Sequence, residues 1–176
     1  MSTGLDEIPR ERLLVMQIIA AALMIGVITF LGIVLFIVYG QRNGQGLGQQ
    51  GDLPIVSLVA IAMFAINTPL AFFLPNQLAK PALRQIAAVP EKEREYDTGK
   101  LLVVRQATMI VGLALLEGTA FCACIGHLLD ADPGSLIVVG LCLLLMLALF
   151  PTRNRVRNWL DKQAMALQDM RNAASS

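Results

Sequence analysis

The chain has 176 residues, of which 56% are hydrophobic and 15% are charged, and its formal net charge is +1. An ordinary soluble domain has about 25% charged residues, so this composition excludes a soluble globule and a disordered chain and indicates one integral membrane domain. The near-zero charge gives no electrostatic basis for a nucleic-acid partner, and we expect the lipid bilayer to be the main partner of the chain.

Four apolar segments predict four membrane-spanning helices. The first has 27 uncharged residues and is about 40 Å long as a helix, more than a hydrocarbon core of about 30 Å. At the start of the last segment, Asp132 is placed to cap the helix and Pro133 to occupy its first position, as both residue types prefer. We therefore expect an all-α fold, an integral membrane four-helix bundle with an amphipathic C-terminal helix. The spans are expected at about residues 13–39, 53–75, 107–129 and 133–150, with a tail over 151–176.

The basic residues predict the orientation of these spans. Of the 14 Lys and Arg residues, all but Arg42 lie in the N-terminal segment, in the connection 76–106 or in the tail. Cytoplasmic segments collect Lys and Arg, so both termini are expected in the cytoplasm. The sequence contains no Asn-x-Ser/Thr glycosylation site, and with the small size and short connections this favours a bacterial inner membrane.

The two longer connections are expected to differ in character. Residues 40–51 contain five glycines among Gln and Asn. They lack the Lys-Ser/Thr pair of a phosphate-binding loop, so we expect a flexible linker. In the other connection, residues 78–88 are expected to form a short interfacial helix. The mixed charge run 91–97 is expected to be a solvated face, with a partner-docking site as the alternative.

The tail is expected to form an amphipathic helix over about residues 152–170. Its apolar face comprises Val156, Trp159, Leu160, Ala164 and Leu167. Trp rings anchor at membrane interfaces and Arg side chains bind anionic headgroups. The expected interface anchor consists of Trp159, Arg153, Arg155 and Arg157. A helix on the membrane surface is the favoured interpretation, and a helix that binds a cytosolic partner is the alternative.

No constellation of residues predicts an enzyme, a cofactor site or a metal site. The single histidine, His127, excludes a multi-histidine metal site within one chain. Cys122 and Cys124 lie about 200° apart around a helix and face different ways. Nothing in the spacing brings Ser57 or Ser135 to His127 as a nucleophile would require. We expect no catalytic residue, no cofactor and no metal.

Small residues recur at intervals of four along the third span. They form a ridge of four positions, Ala114, Gly118, Cys122 and Gly126. In a membrane such ridges let helix backbones pack closely. Ala22 and Gly26 offer a shorter counterpart on the first span. The ridge predicts packing of the first span on the third, or packing between copies in a homo-oligomer or against another membrane protein.

Glu117 interrupts the third span near its centre. A charged acidic side chain there costs about 2.5–3.5 kcal/mol even on the lenient insertion scale, so such a residue marks function or has a partner. Asn67 on the second span lies within about 3 Å of the same depth, and its amide satisfies a protonated carboxyl with both a donor and an acceptor. Glu117 and Asn67 are therefore the expected intramembrane polar pair, with the carboxyl neutral.

The surroundings of Glu117 resemble a known family. Arg105-Gln106, followed by Glu117-Gly118-Thr119-Ala120-Phe121 on an inside-to-outside helix, is similar to the carboxylate helix of the rotary ATPase proteolipids (subunit c). The resemblance implies that Glu117 carries an ion. Two features differ from the family, since the segment 53–75 has no glycine and the connection 76–106 is long and charged.

Two hypotheses about function follow. The favoured one is a multi-pass membrane protein that acts as a structural or interaction subunit of a membrane complex. The alternative is a small ion or proton translocator that uses Glu117. A polar path at the midplane is limited to Glu117, Asn67 and Thr68, which favours the interaction hypothesis.

Overall fold

The computed structural model describes residues 10–48, 55–87 and 97–175. Within these ranges the chain forms five α-helices and no strand. The helices are α1 Arg10–Leu35, α2 Ile55–Ala87, α3 Asp97–Asp130, α4 Pro133–Ala148 and α5 Arg153–Ser175. A π-helical segment, Phe36–Gln41, continues α1. The prediction of an all-α fold is confirmed for these residues.

Three helices are long and apolar enough to cross a membrane, namely α1 with its π-helical extension, α2 and α3. The fourth predicted span is different. α4 has only 16 residues, about 24 Å, and it meets α5 at a bend of 66°. By length and composition, the described chain therefore has three candidate spans, or four if the bent pair crosses the membrane together.

α3 is the central helix, and α1, α2 and α4 all pack against it. In α3, 50% of the most apolar stretch is buried within the chain, compared with 17% in α1 and in α2. Leu113 and Leu116 of α3 are fully buried. α1 contributes one narrow buried stripe, Met16, Ala20, Val27 and Val34. Most apolar side chains of α1 and α2 thus face away from the protein, as in helices surrounded by lipid.

The glycine-rich segment after α1 packs against the end of α3. Leu47 and Gly48 donate backbone hydrogen bonds to the carbonyls of the last α3 turn, at 2.9 and 2.8 Å. A Cβ at Gly46 would overlap the carbonyl oxygen of Leu129. These bonds satisfy carbonyls that a helix C-terminus leaves free. The expected flexible linker is therefore corrected for residues 43–48, and residues 49–51 lie outside the described ranges.

α2 continues without a break through three prolines, Pro69, Pro75 and Pro81. Each proline removes one backbone hydrogen bond, a loss that membrane helices tolerate because neighbouring groups satisfy the freed carbonyl. The separate interfacial helix expected at 78–88 is corrected accordingly, since up to Ala87 it is the last part of α2. The charge run 91–97 lies outside the described residues except for Asp97, which begins α3.

α5 is the expected amphipathic C-terminal helix, and it packs against α2 and α3. Its buried residues Val156, Leu160 and Leu167 recur at intervals of four and seven. Trp159 and Ala164, which complete the predicted apolar face, are half-buried. α2 and α3 thus cover much of this apolar face within the chain, and the placement of α5 on the membrane surface stays a prediction.

Candidate functional site

One face of α3 is left uncovered within the described chain. α1 and α2 lie on either side of it and hardly contact each other. Its exposed residues recur at intervals of four and seven: Val103, Ala107, Ala114, Gly118 and Ile125. At 100° per residue these positions fall within about 60° of one another around the helix. We call these five residues the open face of α3.

Glu117 lies at the edge of the open face that adjoins α1. One of its carboxyl oxygens is 3.7 Å from the place of a Cβ on Gly26, so the glycine leaves room for it. One turn further, Phe30 and Phe121 pack edge to face with ring centroids 5.3 Å apart. Glu117 is half-buried, and no described residue donates a hydrogen bond or brings a positive charge to its carboxyl.

Asn67 does not meet Glu117. Its amide donates a hydrogen bond to the hydroxyl oxygen of Thr119 at 2.9 Å, and that hydroxyl donates to the Leu115 carbonyl at 2.8 Å. Positions 117 and 119 differ by about 200° around a helix, so α2 meets Thr119 while α1 meets Glu117. The expected polar pair is therefore corrected, because the two side chains lie at similar depth on opposite sides of α3.

The small-residue ridge does not stay on one face. Each step of four residues turns about 40° around the helix, so Ala114 and Gly126 differ by about 120°. A Cβ at Gly118 would have no neighbour within 4 Å in the described chain, whereas one at Gly126 would lie 3.2 Å from the Ser57 backbone. Cys122 is half-buried between them. The ridge is thus uncovered at Ala114 and Gly118 and packed against α2 at Gly126.

A hydrogen-bonded cluster at the opposite end from α5 was not predicted from the sequence. The carboxylate of Asp130, the last residue of α3, accepts hydrogen bonds from the backbone N–H and the hydroxyl of Ser57, at 3.0 and 2.8 Å. The Ser135 hydroxyl donates to that of Ser57 at 2.9 Å. Asp130 satisfies one of the free N–H groups at the start of α2. The spans alternate in direction, so the end of α3 and the starts of α2 and α4 lie on the same side. This alternation could have predicted the cluster.

His127 and Asp132 complete this end of the bundle. The Asp132 carboxylate accepts the N–H of Ser135 at 3.1 Å and Pro133 follows it, which confirms the predicted cap of α4. His127 Nδ1 lies 2.9 Å from the Asp132 carbonyl oxygen, and its ring is 5.9 Å from that of Tyr39. The hydrogen bonds of this cluster join the ends of α2, α3 and α4, and in the described chain His127 bonds to neither buried serine.

At the α5 end, basic and aromatic side chains converge. The guanidinium of Arg105, from α3, lies over the Trp159 ring at 5.5 Å from its centroid. Arg155 donates a hydrogen bond to the Ala148 carbonyl at the end of α4, where a cation is favoured by the helix dipole. Trp159 and Arg155, both expected interface anchors, therefore contact the protein itself. The side chains of Arg153 and Arg157 are exposed, as is that of Arg155.

The fold defines a class of protein, an all-helical chain with three or four candidate membrane spans. The sequence matches no protein-family model, no curated protein and no solved structure. Within the described residues, no group of three His, Cys, Asp or Glu side chains is arranged to hold a metal ion. Function is therefore inferred from the helix surfaces themselves.

Proposed function

We propose that the chain is an integral membrane four-helix protein that acts as a structural or interaction subunit of a membrane complex. Its termini lie in the cytoplasm, and a bacterial inner membrane is the proposed location. The distribution of Lys and Arg supports this orientation. The partner is a second copy of the chain, which docks along the open face of α3.

The observation that carries this proposal is the place of Glu117 beside uncovered small residues. Glu117 projects from the middle of a candidate span with no partner among the described residues, although a polar group in hydrocarbon is costly without one. Ala114 and Gly118, next to it, are exposed. Small exposed residues allow a second helix to approach closely, and such a helix also supplies a partner for the carboxyl.

A second copy fits the open face because the small residues of that face can pack against the same residues of another copy. In a two-fold dimer the same patch meets itself, so Gly118 of each copy lies near the axis and the two α3 backbones approach closely. Glu117 lies at the edge of this face, about 100° from Gly118 around the helix, so it borders the contact and does not face its own copy across the axis. The pairing thus covers the uncovered ridge and places a partner helix next to each carboxyl.

The substitution Gly118→Leu tests this docking face. A Leu at this position meets open space within the chain, so the monomer should fold normally, while the side chain holds a second α3 away. The mass of the particle in mild detergent or in nanodiscs should fall from dimer to monomer. Gly140→Leu in α4 is the matched control, because a side chain there also meets open space, and its particle should remain a dimer.

Two outcomes contradict the proposal. One is a wild-type particle that is monomeric in lipid nanodiscs. The other is a dimer that Gly118→Leu and Gly140→Leu weaken equally, which places the contact elsewhere.

A second candidate function is proton or ion translocation by Glu117, as the resemblance to the rotary ATPase proteolipids implies. The same unpartnered carboxyl supports it. Glu117→Gln separates the two functions, because glutamine keeps the shape and the hydrogen bonds without a titrating group. If the protein binds through this face, the variant should still dimerise, and wild-type vesicles should show no more proton flux than variant vesicles. Flux that only wild-type vesicles show would favour the translocator.

A further inference from the structure

Three cationic side chains line an open cavity where α5 meets the bundle. Arg105, Arg155 and Lys162, with Asn158 and Trp159, line a volume of about 310 Å³ that is widely open to the surface. Arg105 comes from α3 and the other four come from α5. The folding of α5 against α3 therefore creates the cavity.

The cationic side chains of this cavity have no acidic partner among the described residues. In the described part of the chain, no carboxylate forms an ion pair with Arg105, Arg155 or Lys162. Arg155 lies close enough to Arg105 for the two charges to repel. The Nε atom of Arg105 is buried and has no hydrogen-bond partner there. An anion in the cavity would relieve this repulsion and accept hydrogen bonds from the guanidinium groups.

A second cavity adjoins the first one through Arg105. It has a volume of about 180 Å³, and its wall is mainly apolar, with contributions from Phe72, Met109 and Leu149. Asn76 and Thr108 add the other polar groups. Arg105 thus lines both a cavity with three cationic side chains and a neighbouring cavity in which most of the lining residues are apolar. This pairing matches a ligand with an anionic head and a hydrocarbon tail.

We propose that the two cavities together bind one anionic phospholipid. Its phosphate lies between Arg105, Arg155 and Lys162, and part of an acyl chain enters the apolar cavity. Guanidinium groups bind phosphate through paired N–H donors, and basic pockets at the ends of membrane helices are suited to lipid headgroups. The inference rests on the membrane placement proposed above.

The single Trp of the chain, Trp159, reports directly on this site. Full-length protein is reconstituted in phosphatidylcholine vesicles that contain either brominated phosphatidylglycerol or brominated phosphatidylcholine at the same mole fraction. The bromine atoms quench Trp fluorescence at short range. We expect stronger quenching by the anionic lipid, and the ratio of the two quenching curves gives the relative affinity.

Charge-matched variants distinguish a site from general attraction. Lys162→Gln and Arg155→Gln should each reduce the relative affinity about fivefold, which corresponds to about 1 kcal/mol per basic contact. Arg153→Gln removes the same charge from the same helix, but Arg153 does not line the cavity. It reports only the general attraction of an exposed interface arginine to anionic headgroups, so the relative affinity should fall by clearly less than fivefold.

The remaining outcomes separate the parts of the proposal: the phospholipid site, the identity of the ligand and the membrane placement. Equal quenching by both lipids, or an equal loss in Arg153→Gln, overturns the phospholipid site. The same quenching is measured in excess inorganic phosphate. If the preference for the anionic lipid is lost, the cavity binds free phosphate and the lipid is overturned as its ligand. If quenching is unchanged, the result supports the lipid. Quenching by neither lipid contradicts the membrane placement itself, which separates that failure from failure of the site.

Discussion

Asn67 and Thr119 form a polar contact between α2 and α3, with 2.9 Å between the amide nitrogen and the hydroxyl oxygen. The contact occupies the side of α3 that faces α2. Glu117, two residues earlier, projects toward Gly26 of α1 instead. The carboxyl is therefore not used to join α2 to α3, and in the function proposed above a second copy of the chain lies next to it.

Thr119→Val should destabilise the protein. Valine has nearly the same shape as threonine but cannot accept the hydrogen bond, so the Asn67 amide loses its partner. Interhelical hydrogen bonds in membranes contribute about 0.6 kcal/mol on average and about 1.7 kcal/mol at most. Thr119→Ser keeps the hydroxyl and should cost less. Unfolding in a denaturing detergent measures both changes.

A double-mutant cycle checks which partner Asn67 has. Asn67→Leu and Thr119→Val should be strongly non-additive, because each removes the same hydrogen bond. Asn67→Leu and Glu117→Gln should add within about 0.5 kcal/mol. If Asn67→Leu were additive with Thr119→Val but not with Glu117→Gln, Asn67 would be shown to pair with Glu117 instead.

Asp130→Ala should destabilise the bundle by about 2 kcal/mol, since it leaves two donors of Ser57 without an acceptor. Ser57→Ala should cost less, because the backbone N–H of residue 57 still bonds to Asp130. The comparison requires both free energies of unfolding under the same conditions. A Ser57→Ala variant that is less stable than Asp130→Ala would contradict the role of the carboxylate as a cap for α2.

The proposed orientation predicts which positions are reached from outside the cell. In a background without the native cysteines, a Cys at Gln45 should react with a membrane-impermeant maleimide on intact cells. Cys residues at Arg84 and Gln168 should react only after the membrane is opened. All three positions are exposed in the structure, so burial does not explain a negative result. Labelling of Arg84→Cys from outside would reverse the orientation.

The sequence predicts the helices better than it predicts their contacts. A long uncharged segment that spans a membrane is predicted to be a helix, because a helix satisfies its own backbone hydrogen bonds. The cap of α4 at Asp132 follows from local residue types alone. Asn67 and Glu117 lie at similar depth, but depth along a helix does not determine direction around it. A difference of two residues, about 200°, decides that Thr119 receives the hydrogen bond.

Other features depend on contacts between distant parts of the chain. The glycine segment at Gly46 has the composition of a flexible linker, yet the end of α3 offers it carbonyl acceptors. Similarly, prolines mark helix ends in most sequences, whereas Pro75 and Pro81 lie inside α2. The meeting of Ser57 with Asp130 requires the arrangement of three helix ends, which spacing in one segment does not reveal.

Cross-linking through one native cysteine tests the central claim, that two copies meet along the open face of α3. Cys122 is half-buried and continues the ridge, while Cys124, two residues later, is fully buried inside the chain. One variant keeps only Cys122 and the other keeps only Cys124, with the remaining cysteines changed to Ala. Both are treated in native membranes with a short thiol cross-linker.

The account predicts a covalent dimer of this chain from the Cys122 variant and little or none from the Cys124 variant. Gly118→Leu added to the Cys122 variant should abolish the dimer. A Cys122 variant that gives no product, or that gives only a product with a different protein, would contradict the claim that a second copy occupies the open face.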